Sequence, residues 1–159
     1  MRTRIISAFP GMGKTYYYNN HRDTCLDSDS SDFSWVETND GGKIRNPDFP
    51  SNYIQNIKEN IGKYEFILVS SHSQVRKALR DNCLFFYLVY PTYIMKELFL
   101  NRYKERGSSK DFIKLLSDNW EKWLAEIASE TVGCKLCKSY NGFLGQEIKH
   151  ILTSEMEIL

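Results

Sequence analysis

Apolar residues follow two different periods along this chain. Unbroken runs occur at Ile5-Ile6, at Tyr64-Glu65-Phe66-Ile67-Leu68-Val69-Ser70 and at Cys83-Leu84-Phe85-Phe86-Tyr87-Leu88-Val89-Tyr90. Such runs suit strands covered on both faces of a parallel sheet, because neither side of the strand meets water. Between and after them the spacing is helical. Ser51 starts a helix expected to run to about Lys63, with Tyr53, Ile54, Ile57 and Ile61 on one face. Ser73 to Asp81 forms the next, stopped by Asn82. Thr92 to Gly107 is amphipathic and closes on basic residues and glycine, and Ser108 and Ser109 open another helix with Phe112, Ile113, Leu115, Leu116, Trp120, Trp123, Leu124 and Ile127 as its apolar positions. A short strand is expected around Cys134 to Tyr140, then a closing helix from about Gly142 to Leu152. This alternation predicts an α/β fold with parallel strands joined by right-handed crossovers.

The first third of the chain is less regular. Thr15 to Asn20 is expected to be a short helix, although Tyr16-Tyr17-Tyr18-Asn19-Asn20 forms helix poorly without tertiary support. Thr24-Cys25-Leu26 reads as a brief strand ending in Asp27-Ser28-Asp29-Ser30-Ser31. From Asp32 to Pro50 the expectation is irregular chain, with a turn at Asn39-Asp40-Gly41-Gly42 and with Asn46-Pro47 and Phe49-Pro50 as helix limits. A connection of that length marks function or mobility.

The chemistry begins at Ile5-Ile6-Ser7-Ala8-Phe9-Pro10-Gly11-Met12-Gly13-Lys14-Thr15. A β-branched run, a glycine-rich turn and Lys-Thr at a helix start are the layout of a phosphate-binding loop. Across Pro10-Gly11-Met12-Gly13 the glycines let successive backbone N–H groups curl round a polyphosphate, and the helix aims its positive end at the same anion. Lys14 would reach the terminal phosphates and the Thr15 hydroxyl would ligate Mg²⁺. Against the pattern G-x-x-x-x-G-K-S/T, Ala8 stands in the first glycine position. The competing reading is a chance Gly-Lys-Thr after a turn.

Ligands of open α/β sheets sit at the carboxyl ends of the strands, which puts Asp27 and Asp29 beside the phosphates. One carboxylate can accept the proton of an attacking hydroxyl, while the other, Asp29 in particular, can hold the metal. An acidic turn without chemical consequence is the alternative. Arg102 and Arg106 are four apart, share a helix face and can converge on one anion; alternatively they are a solvated helix end answering the macrodipole. Phe33, Trp35 and Arg45 can stack on an acceptor base and bind its phosphate, or else the aromatics simply pack their loop down. His72, after the second buried run, and Arg76 on the following helix complete the candidates for substrate contact; for a lone histidine at a strand-to-helix turn the competing reading is a cap or a packing group.

Composition narrows the class. The chain has 159 residues, room for one domain with a real core, and 21 Lys+Arg against 20 Asp+Glu give a net charge of +1. That balance carries no bulk signature of nucleic acid or membrane binding. No stretch approaches the roughly 20 apolar residues that span a bilayer, and no signal peptide opens the chain, so a cytoplasmic protein without membrane partners is expected. Four cysteines in such a compartment are expected as thiols; Cys134-x-x-Cys137 lacks a second close pair for zinc.

Taken together, Pro10-Gly11-Met12-Gly13-Lys14-Thr15, the acidic strand end at Asp27 to Asp29 and Arg102-Tyr103-Lys104-Glu105-Arg106-Gly107 resemble the small P-loop nucleoside and nucleotide kinases, in particular compact phage-type members. The resemblance implies one three-layer domain over residues 1–159 with a five-stranded parallel sheet of order 2-3-1-4-5, an acceptor-binding insertion around 32–63 and an arginine-bearing lid around 100–112. It also implies the host cytoplasm, if the chain is phage-encoded. Gly11, Gly13, Lys14 and Thr15 match the loop that holds ATP and Mg²⁺, Arg102 and Arg106 match the R-x-x-x-R spacing of the lid, and Asp27 or Asp29 corresponds to the carboxylate near the acceptor. The implied activity is ATP-dependent phosphoryl transfer to a nucleoside, a nucleotide or a similar hydroxyl-bearing small molecule. Ala8, the missing acid after Val69 and the absence of D-G-F/Y-P-R depart from the pattern. Two further readings stand beside it: a kinase acting on polynucleotide or on a modified base in DNA, for which Arg76, Lys77 and Arg80 supply charge, and a nucleotide-binding module without turnover.

Overall fold

The structure, a computed structural model, describes residues 1–158. In chain order its elements are β1 (Arg4–Ala8), α1 (Lys14–Asn20), β2 (Cys25–Asp27), α2 (Ser31–Ser34), β3 (Trp35–Glu37), β4 (Lys43–Arg45), α3 (Ser51–Asn60), β5 (Phe66–Ser70), α4 (Ser73–Asp81), β6 (Phe86–Pro91), a 3-10 turn at Tyr93–Met95, α5 (Lys96–Glu105), α6 (Lys110–Ala128), β7 (Cys134–Ser139) and α7 (Leu144–Met156). Five parallel strands make the main sheet in the order β2-β5-β1-β6-β7, flanked by helices. The order implied by the resemblance, 2-3-1-4-5, numbers the strands of the main sheet alone; β3 and β4, which pair only with each other, take two labels, and the observed order reads β2-β5-β1-β6-β7.

β1 is central. It pairs with β5 from Arg4↔Phe66 to Ala8↔Ser70 and with β6 from Ile5↔Phe86 to Ala8↔Val89. Ile6, Ile67, Leu68, Val69, Phe86, Leu88 and Val89 are fully shielded, as their unbroken apolar runs require. The edge strands β2 and β7 are only partly covered. Among the described residues, no helix is long and apolar enough to cross a membrane.

Three differences from the expected elements have local causes. Trp35–Glu37 and Lys43–Arg45 form an antiparallel hairpin where irregular chain was expected. Its residues are all exposed, so no apolar alternation announces it; the tie from the Thr38 N–H to the Gly42 carbonyl at 2.8 Å closes the turn. α3 stops at Asn60, because Ile61 turns extended and leaves the apolar face. Thr92, expected to be helical, instead follows β6, and its N–H bonds the Ser139 carbonyl at 3.2 Å.

An aromatic cluster joins α5 and α6 to the end of β1. Phe9 meets Trp120 edge-on at 5.5 Å between centroids, Phe99 lies 5.5 Å from Trp120, and Tyr103 meets Phe112 at 5.4 Å. Rings of this size dominate the burial energy wherever they gather. Ser109 caps α6 by accepting the Phe112 N–H at 3.1 Å.

Arg76 departs from its expected role. Its side chain is 5% exposed, its Nε lies 2.8 Å from Glu130, and Arg80 bonds the same carboxylate. Lys77 pairs with Asp81. Two guanidiniums thus share one carboxylate, and Arg76 is held inside the protein rather than presented to a ligand. Cys134 and Cys137 are free thiols on β7, three residues apart and so on opposite faces of the strand. Burial pushes the Cys137 thiol up to about 11.

Candidate functional site

The loop after β1 emerges at the carboxyl edge in the middle of the sheet, anchored by a bond from the Phe9 N–H to the Val89 carbonyl at 2.9 Å. Ala8 is 1% exposed, so its methyl is absorbed by the core at the place where the motif writes glycine. Gly11 and Gly13 have φ of 88° and 94°, the left-handed region that glycine enters freely. A Cβ on Gly11 would lie 2.8 Å from Tyr103 Cε1 and 3.0 Å from Phe99 Cδ1, whereas one on Gly13 would meet nothing within 4 Å. Gly11→Ala is accordingly expected to lose about 2–4 kcal/mol through strain and overpacking, against about 1–2 kcal/mol for Gly13→Ala, which meets strain alone. Denaturant midpoints of the two variants check the difference.

Three consecutive loop carbonyls are held from outside the loop. Tyr103 Oη donates to the Pro10 carbonyl at 2.6 Å, Arg102 Nη1 to that of Gly11 at 3.0 Å, and the Leu144 N–H to that of Met12 at 2.9 Å. Among the described residues, no acceptor serves the N–H groups of Gly11, Gly13, Lys14, Thr15 or Tyr16. Unpaired donors at the head of a helix, next to a lysine, are chemically suited to an oxyanion.

Beside this loop stands β2. Thr15 Oγ1 donates to Asp27 Oδ2 at 3.5 Å. The Asp27 carboxyl is held above the usual carboxylate range: burial raises it most, Lys14 pulls it down, and Asp29 raises it again. Asp29 is exposed, and its Oδ1 accepts the Ser31 N–H at 2.9 Å in an Asx turn that starts α2. The structure thus brings Asp27 to the Thr15 hydroxyl and gives Asp29 a turn to hold. The segment between them is fixed by bonds from the Ser28 N–H to the Leu68 carbonyl at 2.9 Å and from Tyr53 Oη to the Ser28 carbonyl at 2.5 Å.

His72 precedes α4 at the end of β5. Its ring is lowered from the ordinary histidine value, first by burial and then by the charges of Lys14 and Arg45, with Asp29 opposing. Lys14, Asp29, His72 and Arg45 therefore share one electrostatic neighbourhood. Arg45 stacks over the Trp35 ring at 4.4 Å on the hairpin, so one face of that ring is already covered. Trp35 also borders a recess of about 180 Å³ with Asp32, Glu37 and Lys43. Arg76 stays behind this group, donating to the Ser71 carbonyl at 3.3 Å.

The two arginines of α5 have different surroundings. Arg102 Nη1 also bonds the Gly142 carbonyl at 2.6 Å, and its guanidinium lies between the Phe99 and Phe143 rings at 4.7 and 4.5 Å. Arg106 is exposed, bonded through Nε to Ser108 Oγ at 2.9 Å and placed over the Tyr103 ring. They do not converge on one anion position.

Tyr103, Gly142, Leu144 and Tyr53 belong to the support of this site, and nothing in the sequence pattern singles them out. Their partners are tens of residues away in the chain, beyond any local spacing rule.

Comparison with known proteins finds no family model that matches the chain and no curated protein that matches it.

Proposed function

We propose that this protein is a P-loop kinase that moves the γ-phosphoryl group of ATP to a hydroxyl of a nucleoside, nucleotide or similar small acceptor. The observation that carries the reading is the meeting of Lys14, Thr15 and Asp27 at the head of α1, under a run of unpaired backbone amides. A nucleotide polyphosphate suits those amides and Lys14. Mg²⁺ suits the Thr15 hydroxyl, where it would neutralise charge on the β- and γ-phosphates.

In this reading the loop amides and Lys14 fix the phosphates and offset their charge as it shifts toward the leaving group. Asp27 orients the acceptor hydroxyl and takes its proton. The bond from the acceptor oxygen to the γ-phosphorus forms as the bond to the β,γ-bridging oxygen breaks, and ADP leaves. The raised affinity of Asp27 for a proton fits that base role. The acceptor is assigned to Trp35, Arg45 and His72, whose ring feels the charges of Lys14 and Arg45. A DNA acceptor finds less support, since Arg76 is buried against Glu130 and Arg80 is bonded to the same carboxylate.

The test is ADP release from Mg²⁺-ATP with a panel of nucleosides, nucleoside monophosphates, and single- and double-stranded DNA with and without hydroxymethylated bases. Stimulation by a small acceptor supports the proposal, and stimulation only by DNA replaces its acceptor. ATP binding with no stimulated release points to a binding module, while no binding at all overturns the reading of the loop.

A further inference from the structure

The geometry points to Arg102 and Tyr103 as positioning residues that keep the loop receptive to phosphate, making the C-terminal half of α5 a fixed buttress rather than a moving lid. The inference rests on the phosphate-binding reading of residues 10–15. Peptide planes next to glycines at positive φ turn over at small cost, because no Cβ resists the change. In this loop such a rotation would swing a carbonyl dipole into the space where an anion must sit. The Tyr103 hydroxyl, the Arg102 guanidinium and the Leu144 amide hold the carbonyls of Pro10, Gly11 and Met12 on the other side. The donors are themselves held in place by packing and by further bonds. Tyr103 is fully buried against Phe99 and Phe112, and Arg102 joins Gly11 to Gly142 from between two aromatic rings. Moving that arginine onto a transferring phosphoryl group would break both carbonyl bonds at once.

A buttress and a lid differ in how they treat the γ-phosphate. A lid arginine acts on it and so separates ATP from ADP; a buttress shapes the loop for any nucleotide carrying a β-phosphate and treats the two alike. Calorimetric titration of Mg²⁺-ATP and Mg²⁺-ADP into the wild type and into Arg102→Met, Arg102→Lys and Tyr103→Phe makes the distinction. Arg102→Met is expected to weaken both nucleotides by the same factor, about tenfold or more, because a charge-assisted bond is lost. Arg102→Lys, which can still reach one carbonyl, recovers part of the affinity. Tyr103→Phe keeps the ring, loses only the hydroxyl and weakens both nucleotides less. In the nucleotide-free protein, the amide resonances of Gly11 and Gly13 are expected to move in Arg102→Met.

Loss of ATP affinity with ADP unchanged is the mark of an arginine acting on the γ-phosphate and overturns the buttress, as does unchanged affinity for both. Should the wild type bind neither nucleotide, the phosphate-binding reading fails and takes this inference with it, whereas nucleotide binding that Arg102→Met leaves unchanged fails the inference alone. If Arg102→Met does not fold, Tyr103→Phe is read by the same amides and by the same comparison of ATP with ADP.

Discussion

Lys14→Met is expected to lower phosphoryl transfer by about a thousandfold while leaving the fold in place, since removing one preorganised charge donor costs about that much where charge develops. Lys14 forms no salt bridge among the described residues, so its loss orphans no buried partner. The ammonium instead acts at a distance: it lowers the proton affinity of Asp27 and that of His72. The variant should therefore show a second, separable effect, with both groups titrating at higher pH than in the wild type. Steady-state rates with a saturating acceptor measure the first effect and NMR titration of the His72 ring the second. A variant that transfers phosphate at the wild-type rate would remove Lys14 from the reaction and with it the proposed function.

Asp27→Asn should be nearly as damaging to turnover and should have the opposite effect on stability. Loss of a positioned base costs about a hundred- to ten-thousandfold in rate. Nucleotide binding should survive, because the loop amides and Lys14 are untouched. In the wild type the rate should fall on the acid side, with an apparent pKa above the ordinary aspartate value, and this limb should be missing from the residual activity of the variant. The stability argument has a definite sign. Burial raises the folded-state pKa of Asp27 above its unfolded value. The folded protein therefore holds this proton more tightly, and the stabilisation, complete below the unfolded pKa, is lost as pH rises through the folded pKa. At neutral pH the ionised carboxylate is a burden on the fold, so Asp27→Asn is expected to melt higher than the wild type, with the gap narrowing as the pH is lowered. Thermal melts across the acid range check it. A variant that melts lower at neutral pH would mean that Asp27 is structural, held by Thr15 and Lys14 more than it is penalised by burial.

The two effects belong together. A carboxylate kept partly out of water beside a lysine is a poor choice for stability and a useful one for accepting a proton. Asp29 is exposed and holds the turn that starts α2, so the two acids are expected to part company on mutation.

The broad architecture was legible in the order of residues alone. The unbroken runs at Phe66–Ser70 and Phe86–Pro91 can be satisfied only in the middle of a covered parallel sheet. Gly11 and Gly13 followed by Lys14 and Thr15 announce a sharp turn into a helix start, and Ser73 to Asp81 is bounded by its own start and stop signals. These are local properties, set by periodicity, capping and backbone sterics within a few residues. The hairpin at Trp35–Arg45 was not legible, because its exposed strands carry no alternation and its stability comes from turn bonds and from Arg45 stacking on Trp35. Neither was the division of labour among charges. Arg76 and Arg102 look equally available in the sequence, yet one is paired with Glu130 and the other is tied to Gly11 and Gly142. Which charge is spent inside a protein and which is left for a ligand depends on partners that lie far apart along the chain and meet only on folding. Local order along the chain suffices for the sheet, the loop and the Lys14-Thr15 pair at its lip; long-range packing puts Asp27 at the Thr15 hydroxyl and lets α5 bond the loop carbonyls from behind.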